Sequence, residues 1–238
     1  MELWVEKYRP TTLEEYVGNE TIKNKIADYL KQGSIQNLLF HGVAGTGKTT
    51  LAKLIAKNLN CDLLYINASD ERGIDTIRDK IIPFASSMSF NDVKIVILDE
   101  ADYITPQAQA TLRNTIESCS KTTRFILTCN YLERIISPLQ SRCQTFEIIP
   151  PSKQEVYNKC QDILMEENVS YTDINEVINT HYPDIRKIIN TLQGSVVEGE
   201  IKIDSTSLKN TQLGGLIVDA LIRKAKLSEI RQIIADSG

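Results

Sequence analysis

Short apolar runs alternate with amphipathic stretches through the first half of the chain. The runs that are short, largely apolar and closed by a polar residue span residues 35–41, 62–67, 93–99, 124–130 and, as a fifth candidate, 144–149. Between them, apolar side chains recur at three- and four-residue intervals, as at Leu51, Leu54, Ile55 and Leu59, which is the spacing of one helix face. Buried strands that alternate with helices predict an α/β fold, with a parallel sheet covered by helices on both faces.

The pattern changes at the Pro150-Pro151 pair, after which no further strand is predicted. Ser152 and Glu155 have the spacing of a capping box, which predicts the start of a helix. Apolar spacing over the next fifty or so residues indicates three short helices. A small helical domain is therefore expected to follow the α/β part.

The last part of the chain differs from both of these regions. Residues 201–215 are rich in Ser, Thr, Asn and Gly, a composition typical of a linker. Residues 216–236 carry two apolar-striped helices, a pair too short to bury both stripes by itself. The predicted domains are an α/β core at 1–150, a helical domain at 151–200 and a linker with partner-dependent helices at 201–238.

Composition and charge narrow the class of protein. The chain has 238 residues, of which 42% are hydrophobic and 24% charged, and a net charge of −4. No apolar run approaches the ~20 residues of a membrane-spanning helix, and the N-terminus lacks the apolar core of a signal peptide. The five cysteines form no C-x-x-C pair, so zinc is not expected, and their odd number fits a reducing cytoplasm. A mildly acidic chain is not a passive DNA-coating protein, so any nucleic-acid contact must come from a local face.

A glycine-rich segment follows the first predicted strand. Residues 42–49 read GVAGTGKT, which fits the phosphate-loop pattern G-x-x-x-x-G-K-[ST] between a strand and a helix. Glycine lets the backbone wrap around phosphates, so that amide groups and the helix N-terminus face the anion. We predict that Lys48 contacts the β- and γ-phosphates of ATP and that Thr49 ligates Mg²⁺; the alternative is a chance glycine-rich turn. The predicted nucleotide contacts of this segment are Gly42, Val43, Ala44, Gly45, Thr46, Gly47, Lys48, Thr49 and Thr50.

Two adjacent carboxylates, Asp99 and Glu100, close the third apolar strand. We predict that Asp99 orients the Mg²⁺ shell and that Glu100 acts as general base on the attacking water. The alternative is a buried strand that merely ends in solvated acids. A phosphate loop earlier in the same chain favours the ATPase interpretation.

Three further polar residues are candidates for the same site. Asn130 ends the fourth strand, Arg142 follows a short turn after it, and Arg186 begins an amphipathic stretch of the helical domain. An arginine near the γ-phosphate stabilises the charge that develops in the transition state. Surface arginines are common, so position alone leaves these assignments open.

Five segments in a fixed order carry a resemblance to one family. They are residues 4–10 (WVEKYRP), the phosphate loop, residues 67–74 (NASDERGI), the Asp-Glu-Ala-Asp run from Asp99, and residues 141–143 (SRC). Together they resemble the small ATPase subunit of sliding-clamp loaders, the replication factor C small subunit and its phage counterparts, within the AAA+ superfamily. The resemblance is strong over residues 1–195 and weaker beyond. It implies an AAA+ core, a helical lid and a partial helical collar for the three predicted domains.

The resemblance assigns roles to the positions left open above. It implies that Arg142 is an arginine finger acting in trans on the ATP of a neighbouring subunit. It implies that Asn130 is the sensor-1 residue and Arg186 the sensor-2 residue. It also implies an adenine pocket formed by Val5, Tyr8, Arg9, Pro10, Val17 and Gly18. Ordinary core packing is the alternative for the apolar members of that pocket.

The resemblance further implies the partners, which are a sliding clamp, primer–template DNA held through its backbone, and other clamp-loader subunits in a ring; no membrane is implied. ATP binding would drive clamp opening and loading, and DNA-triggered hydrolysis would release the clamp. The candidate DNA contacts are Arg72, Ile74, Arg78, Lys80 and Arg113, with a solvated surface as the alternative. Gln109 lies four residues before Arg113, and we hypothesise that the pair couples DNA binding to hydrolysis at Glu100.

Two departures from the family pattern bear on these expectations. The predicted collar stops after about two helices, which leaves ring assembly by this chain open. The chain lacks the cysteine zinc module of the bacterial γ-type ATPase, which favours the archaeal, eukaryotic or phage branch. Two rival functions are another AAA+ DNA-processing ATPase, for branch migration or replication restart, and a non-hydrolysing structural loader subunit.

Overall fold

The computed structural model describes residues 2–89, 91, 93–202 and 223. It divides into two compact units. Residues 9–152 form an α/β unit, and residues 2–8 together with 153–202 belong to a helical unit. Of the predicted linker and collar, residues 201–238, the structure describes only Ile201, Lys202 and Arg223, and the rest lies outside the described residues.

Five parallel strands form the sheet of the α/β unit. Their bounds are β1 Leu38–His41, β2 Cys61–Asn67, β3 Val93–Asp99, β4 Thr123–Cys129 and β5 Gln144–Glu147. The strands lie in the order β2-β3-β4-β1-β5, and every neighbouring pair is parallel. Each predicted strand is present, and the predicted α/β class with a parallel sheet is confirmed.

Helices connect the strands and make up most of the helical unit. In the part of the chain that the structure describes, they are α1 Trp4–Lys7, α2 Glu20–Lys31, α3 Lys48–Lys57, α4 Ile74–Thr76, α5 Ile82–Ser86, α6 Pro106–Ser118, α7 Ser137–Gln140, α8 Lys153–Glu166, α9 Asn175–His181 and α10 Ile185–Gly194. A π-helical turn, Ile77–Ile81, joins α4 to α5, and 3₁₀ turns follow β3 and β4. Of these helices, none is long and apolar enough to cross a bilayer.

The central strands β1, β3 and β4 are buried on both faces of the sheet, which explains why they read as nearly continuous apolar runs. Val96 and Leu98 of β3 pack into one apolar cluster, which includes α6. Their neighbours Ile95 and Ile97 point to the opposite face and pack into a second cluster with α2 and α3. This alternation is the two-residue period of a strand with a core on each side.

The register of the sheet brings the strand ends to one edge. Asn67 of β2 lies opposite Asp99 of β3, and Phe40 of β1 lies opposite Thr128 of β4. The residues that follow β1, β3 and β4 therefore meet at the carboxyl edge of the sheet, where open α/β folds place their ligands.

Residues 2–8 pack in the helical unit, whereas the sequence analysis placed residues 1–150 in the α/β core. Trp4 is only 5% exposed and packs in the apolar cluster of α8, α9 and α10, with Val156, Ile163 and Ile188 among its members. Its backbone N–H donates to Oε1 of Gln193 at 3.0 Å. Burial of a large indole against these helices is the physical reason for the difference.

The helical unit also contains strands that the sequence analysis did not predict. β6 (Val196–Val197) and β7 (Glu200–Ile201) form an antiparallel pair. Each is two residues long, so neither produces a periodic pattern that could be recognised in the sequence. The three helices predicted after Pro151 correspond to α8, α9 and α10.

Candidate functional site

The glycine-rich loop between β1 and α3 adopts backbone conformations that favour glycine. Gly42 has a φ of +143° and Gly47 a φ of +96°. A Cβ on Gly42 would lie 2.5 Å from the Ile148 carbonyl oxygen, and one on Gly47 would lie 2.9 Å from the Tyr16 ring. Both positions therefore exclude side chains on steric grounds as well as on φ. The loop leads directly into α3, which begins at Lys48.

The Lys48 side chain folds over this loop. Its ammonium donates to the carbonyl oxygens of Gly42 at 2.9 Å and Val43 at 2.8 Å, and the residue is buried. The Thr46 hydroxyl donates to the same Val43 carbonyl at 2.8 Å. A cation beside a loop of glycines at a helix N-terminus is an arrangement suited to phosphate.

Asp99, at the end of β3, accepts hydrogen bonds from three hydroxyl groups. Its Oδ1 accepts from Thr49 at 2.7 Å and from Thr128 at 2.5 Å, and its Oδ2 accepts from Tyr65 at 2.8 Å. Asp99 is buried. Burial and the Asp99 carboxylate raise the pKa of the Tyr65 phenol above its ordinary value, so this group stays a donor. The carboxylate and hydroxyl oxygens of Asp99 and Thr49 are the kind of ligand that Mg²⁺ prefers.

Glu100 follows directly and has an unusual backbone. Its φ of +55° places it in the left-handed region. Its N–H donates to the Thr128 hydroxyl at 3.1 Å, and that same hydroxyl donates to Asp99. Thr128 therefore links the Asp99 carboxylate to the Glu100 backbone, and Glu100 lies half-buried at the carboxyl edge.

Asp102, the last residue of the Asp-Glu-Ala-Asp run, connects the end of β3 to the end of β4. Its Oδ2 accepts from the backbone N–H groups of Asn130 and Tyr131, each at 3.3 Å. Asp102 is buried, and its Oδ1 has no hydrogen-bond partner among the described residues. Burial, with a smaller effect from Asp102, raises the pKa of the neighbouring Cys129 thiol to about 12. Asp102 thus fixes the backbone that carries Asn130.

The structure therefore brings together most of the residues predicted for the phosphate and metal site. The sequence analysis missed Tyr65, Thr128 and the contact of Asp102. The two-residue period of a strand could have indicated that Tyr65 and Asn67 share a face. The pairing of Asn67 with Asp99, which makes Tyr65 a diagonal neighbour of the carboxylate, is not written in the sequence.

Comparison with known proteins agrees with this geometry. The family model "ATPase family associated with various cellular activities (AAA)" matches residues 38–151. Over 242 residues the chain is 40% identical to the replication factor C small subunit of Haloarcula marismortui, covering 98% of this chain and 71% of that protein. The chain belongs to the replication factor C small subunit family. The resemblance predicted from the sequence is confirmed.

Other members of the family match over shorter segments. The small subunit of Archaeoglobus fulgidus is 44% identical over 84% of this chain and 66% of that protein. The small subunit of Natronomonas pharaonis is 46% identical over 72% of this chain and 55% of that protein. The chain therefore spans between about half and about seven tenths of the length of these relatives.

Among solved structures, the Holliday junction branch migration motor RuvB of Thermotoga maritima has the same fold. It superposes with a TM-score of 0.67 over 86% of this chain and 72% of that one, at 19% identity. At this identity the likeness shows the fold alone. The predicted AAA+ class of the core is confirmed by the family match and this fold together.

The residues that the family resemblance assigns to the adenine pocket fall in both units. Arg9 donates from Nη1 to the Thr50 hydroxyl at 3.3 Å, and Gly18, at a φ of +75°, lies against Pro151. Pro10 and Val17 are half-buried in the α/β unit. Val5 and Tyr8 belong to the helical unit, where Val5 packs against the apolar cluster and the Tyr8 hydroxyl donates to Glu167 at 2.8 Å.

Arg142 lies at the opposite edge of the sheet from the phosphate loop. It precedes β5, which runs parallel to β1, whereas the loop follows β1. Four strand residues at ~3.3 Å each separate the two edges by about 13 Å. The guanidinium donates from Nε to Glu117 at 2.8 Å, also from Nη2 to Glu117, and from Nη1 to the Pro138 carbonyl at 2.5 Å. A cavity of about 590 Å³ opens beside it, lined by Asn37 and Arg124 among others.

Arg186, the predicted sensor-2 residue, lies in the first turn of α10 in the helical unit. It is exposed, and the side chain of Asp184 caps the helix by accepting from the Lys187 N–H at 3.1 Å. Its role toward nucleotide stays a prediction.

The candidate DNA contacts lie on the surface of the α/β unit, with one exception. Arg72, Arg78 and Lys80 are exposed, whereas Ile74 packs against the core cluster on the α6 face of the sheet. Lys80 pairs with Glu71 at 2.6 Å. Acidic residues at 71, 75 and 79 alternate with these cations, so the segment has no excess of positive charge.

On α6, Arg113 and Gln109 have different environments. The Arg113 guanidinium donates to Asn114 Oδ1 at 3.1 and 2.7 Å. Gln109 is buried, and its amide donates to the carbonyls of Ile104 and Arg134 and accepts from the Ile136 N–H, at 2.8 to 3.0 Å. Gln109 thus joins α6 to the segment after β4 and is satisfied by backbone groups.

Proposed function

We propose that this chain is the ATPase subunit of a DNA polymerase sliding-clamp loader, using Mg²⁺ and ATP at the carboxyl edge of its sheet. The observation that carries the proposal is the convergence of the phosphate loop with the acidic end of β3, through the 2.7 Å bond between Thr49 and Asp99. Membership of the replication factor C small subunit family supports the biological assignment. The likeness to RuvB concerns the fold and does not favour branch migration.

The residues of the loop and of β3 have separate roles in this proposal. Lys48 and the loop amides bind the β- and γ-phosphates, and Thr49 and Asp99 hold the Mg²⁺ ion. A bound Mg²⁺ ion would neutralise negative charge on the phosphates. Glu100 accepts a proton from the attacking water. Asn130 acts near the γ-phosphate as the sensor-1 residue. Its backbone is held by Asp102, which accepts from the Asn130 N–H.

The position of Arg142 supports its role on a neighbouring subunit. Because it lies across the sheet from the loop of its own chain, a contact with that chain's ATP would require crossing about 13 Å of sheet. The cavity beside it provides room for a group from another chain at this edge. Arg186, in the helical unit, is proposed as the sensor of the same nucleotide that the loop binds.

Clamp and DNA complete the proposed cycle. ATP binding stabilises the assembly that opens the clamp, and hydrolysis, triggered by primer–template DNA, releases it. Arg72, Arg78, Lys80 and Arg113 would contact the DNA backbone without reading its sequence. Acidic residues alternate with cations from residue 71 to residue 80, so this segment has no excess of positive charge. Backbone amides must therefore contribute to DNA binding.

Steady-state ATP turnover tests this function. We expect turnover by the chain, assembled with its partner subunits, to rise when primer–template DNA and the cognate clamp are both present. Turnover that responds to neither would contradict the loader assignment. Turnover absent under every condition, with ATP binding retained, would instead support the non-hydrolysing structural subunit.

A further inference from the structure

The three hydroxyls around Asp99 leave its carboxylate with little freedom. An ionised carboxylate offers about four acceptor positions, two on each oxygen. Thr49 and Thr128 occupy both positions on Oδ1, and Tyr65 occupies one position on Oδ2. One of the two acceptor positions on Oδ2 remains, and the position of the Tyr65 hydroxyl determines which of the two is free.

Tyr65 is itself held by groups from two neighbouring elements. Its ring lies beneath the Lys53 ammonium, which is 4.5 Å from the ring centroid. Lys53 and Thr49 are one turn apart on α3, so the helix that presents Thr49 to Asp99 also fixes the ring. Tyr65 is 39% exposed, yet both its ring and its hydroxyl have defined partners. An exposed tyrosine whose only role was packing would not need a 2.8 Å bond to a buried carboxylate.

We propose that Tyr65 is a positioning residue for the magnesium ion, acting through Asp99. Its hydroxyl holds Oδ2 so that the remaining acceptor position is kept for the metal or for a water bound to it. The proposal rests on the proposed ATPase function. Without the phenol, only the two bonds on Oδ1 restrain the carboxylate, whose terminal torsion is intrinsically broad, and the free acceptor position on Oδ2 loses its fixed direction.

The test is the Mg²⁺ dependence of ATP binding by the full chain, measured by titration calorimetry with ATP at a series of free Mg²⁺ concentrations and with EDTA. Tyr65→Phe removes only the hydroxyl. Removal of groups that orient metal ligands costs ~10–100-fold in metal affinity, and we expect the lower end, about tenfold, in the Mg²⁺ concentration for half-maximal enhancement. ATP affinity in EDTA should stay within about twofold of wild type, because Lys48 and the loop are untouched.

Tyr103→Phe is the matched control, since Tyr103 is 45% exposed and no hydrogen bond of its hydroxyl is found among the described residues. It should leave both quantities unchanged. An unchanged Mg²⁺ requirement in Tyr65→Phe would overturn the proposal, and so would an equal loss of ATP affinity with and without Mg²⁺, which indicates a packing role. Electron paramagnetic resonance of Mn²⁺ with ATP gives a second reading of the same site, and an unaltered spectrum in the variant would also overturn it. Failure of the wild-type chain to bind ATP at all would refute the proposed function instead.

Discussion

At the carboxyl edge of the sheet, the buried Asp99 carboxylate accepts hydrogen bonds from three neutral hydroxyls, whereas at the amino edge the Arg142 guanidinium is held by the more exposed Glu117. The first arrangement is assembled from β2, β3, β4 and α3 of one unit and is complete within the chain. The second places a cation where this chain has no phosphate loop. Under the proposed function, the carboxyl edge holds the chain's own ATP and the amino edge supplies Arg142 to the ATP of a neighbouring subunit.

The largest expected effect comes from Arg142→Ala. Arginine fingers contribute roughly 10³–10⁵ to turnover, so we expect the assembled loader to lose about 10³-fold of its DNA-stimulated rate. Basal turnover of the isolated chain should not change, since Arg142 does not reach its own loop. Lys121→Ala, at an exposed lysine just before β4, controls for loss of positive charge at the same edge. Equal losses of turnover in the isolated chain and in the assembly would show that Arg142 does not act on the ATP of a neighbouring subunit.

Glu100→Gln is expected to affect turnover at the carboxyl edge. General bases contribute ~10²–10⁴-fold, and turnover should fall by about 10²-fold or more. ATP affinity should be retained because the amide keeps the shape of the side chain. Single-turnover kinetics and equilibrium ATP binding measure the two quantities. Glu133→Gln, at an exposed residue after β4, should change neither; a Glu100→Gln variant that still turns over ATP at the wild-type rate would remove Glu100 from the mechanism.

Lys94→Met tests whether the buried ammonium near the start of β3 stabilises the fold. The Lys94 Nζ donates to the Phe84 carbonyl at 2.8 Å and to the Ser87 hydroxyl at 2.9 Å, and the residue is 1% exposed. The apolar replacement removes both bonds, although the Ser87 hydroxyl still donates to the Phe84 carbonyl, and the expected loss in the free energy of unfolding is about 1–3 kcal/mol. Urea unfolding measures it. An unchanged urea midpoint would show that these bonds make no net contribution to the free energy of unfolding.

The smallest effect is expected in the helical unit. Burial, and then the Lys187 ammonium, lower the pKa of His181, while Asp184 opposes this shift. The folded state disfavours the protonated imidazole of His181. Folding is therefore more favourable above the ordinary pKa of about 6.5, where the imidazole is neutral, and this stability is lost as the pH falls below that value. His181→Gln should therefore lose less stability than wild type between pH 8 and pH 5.5. Parallel losses in urea unfolding experiments would show that His181 does not contribute to the pH dependence.

Much of the α/β unit could be predicted from local sequence patterns. The central strands β1, β3 and β4 are nearly continuous apolar runs because the middle of the sheet is buried on both faces, and the phosphate loop has a fixed spacing with glycines at strained positions. Asp99 and Glu100 were found because they directly follow a strand.

The features that were missed depend on register or on distant contacts. Tyr65 and Thr128 reach Asp99 only once β2 and β4 are aligned with β3. The pairing of Glu117 with Arg142 joins residues 25 positions apart. Trp4 lies 189 residues from Gln193, its hydrogen-bond partner, and no local pattern indicates that residues 2–8 pack in the helical unit.

Mixing two defective chains is the sharpest test of the proposal that each subunit binds ATP at one edge of its sheet and supplies Arg142 from the other edge to a neighbour. A Glu100→Gln chain retains Arg142, and an Arg142→Ala chain retains Glu100. With partner subunits, primer–template DNA and clamp present, the mixture should recover DNA-stimulated ATP turnover that neither variant shows alone. A mixture that stays as inactive as its components, under conditions in which wild type is stimulated, would contradict it.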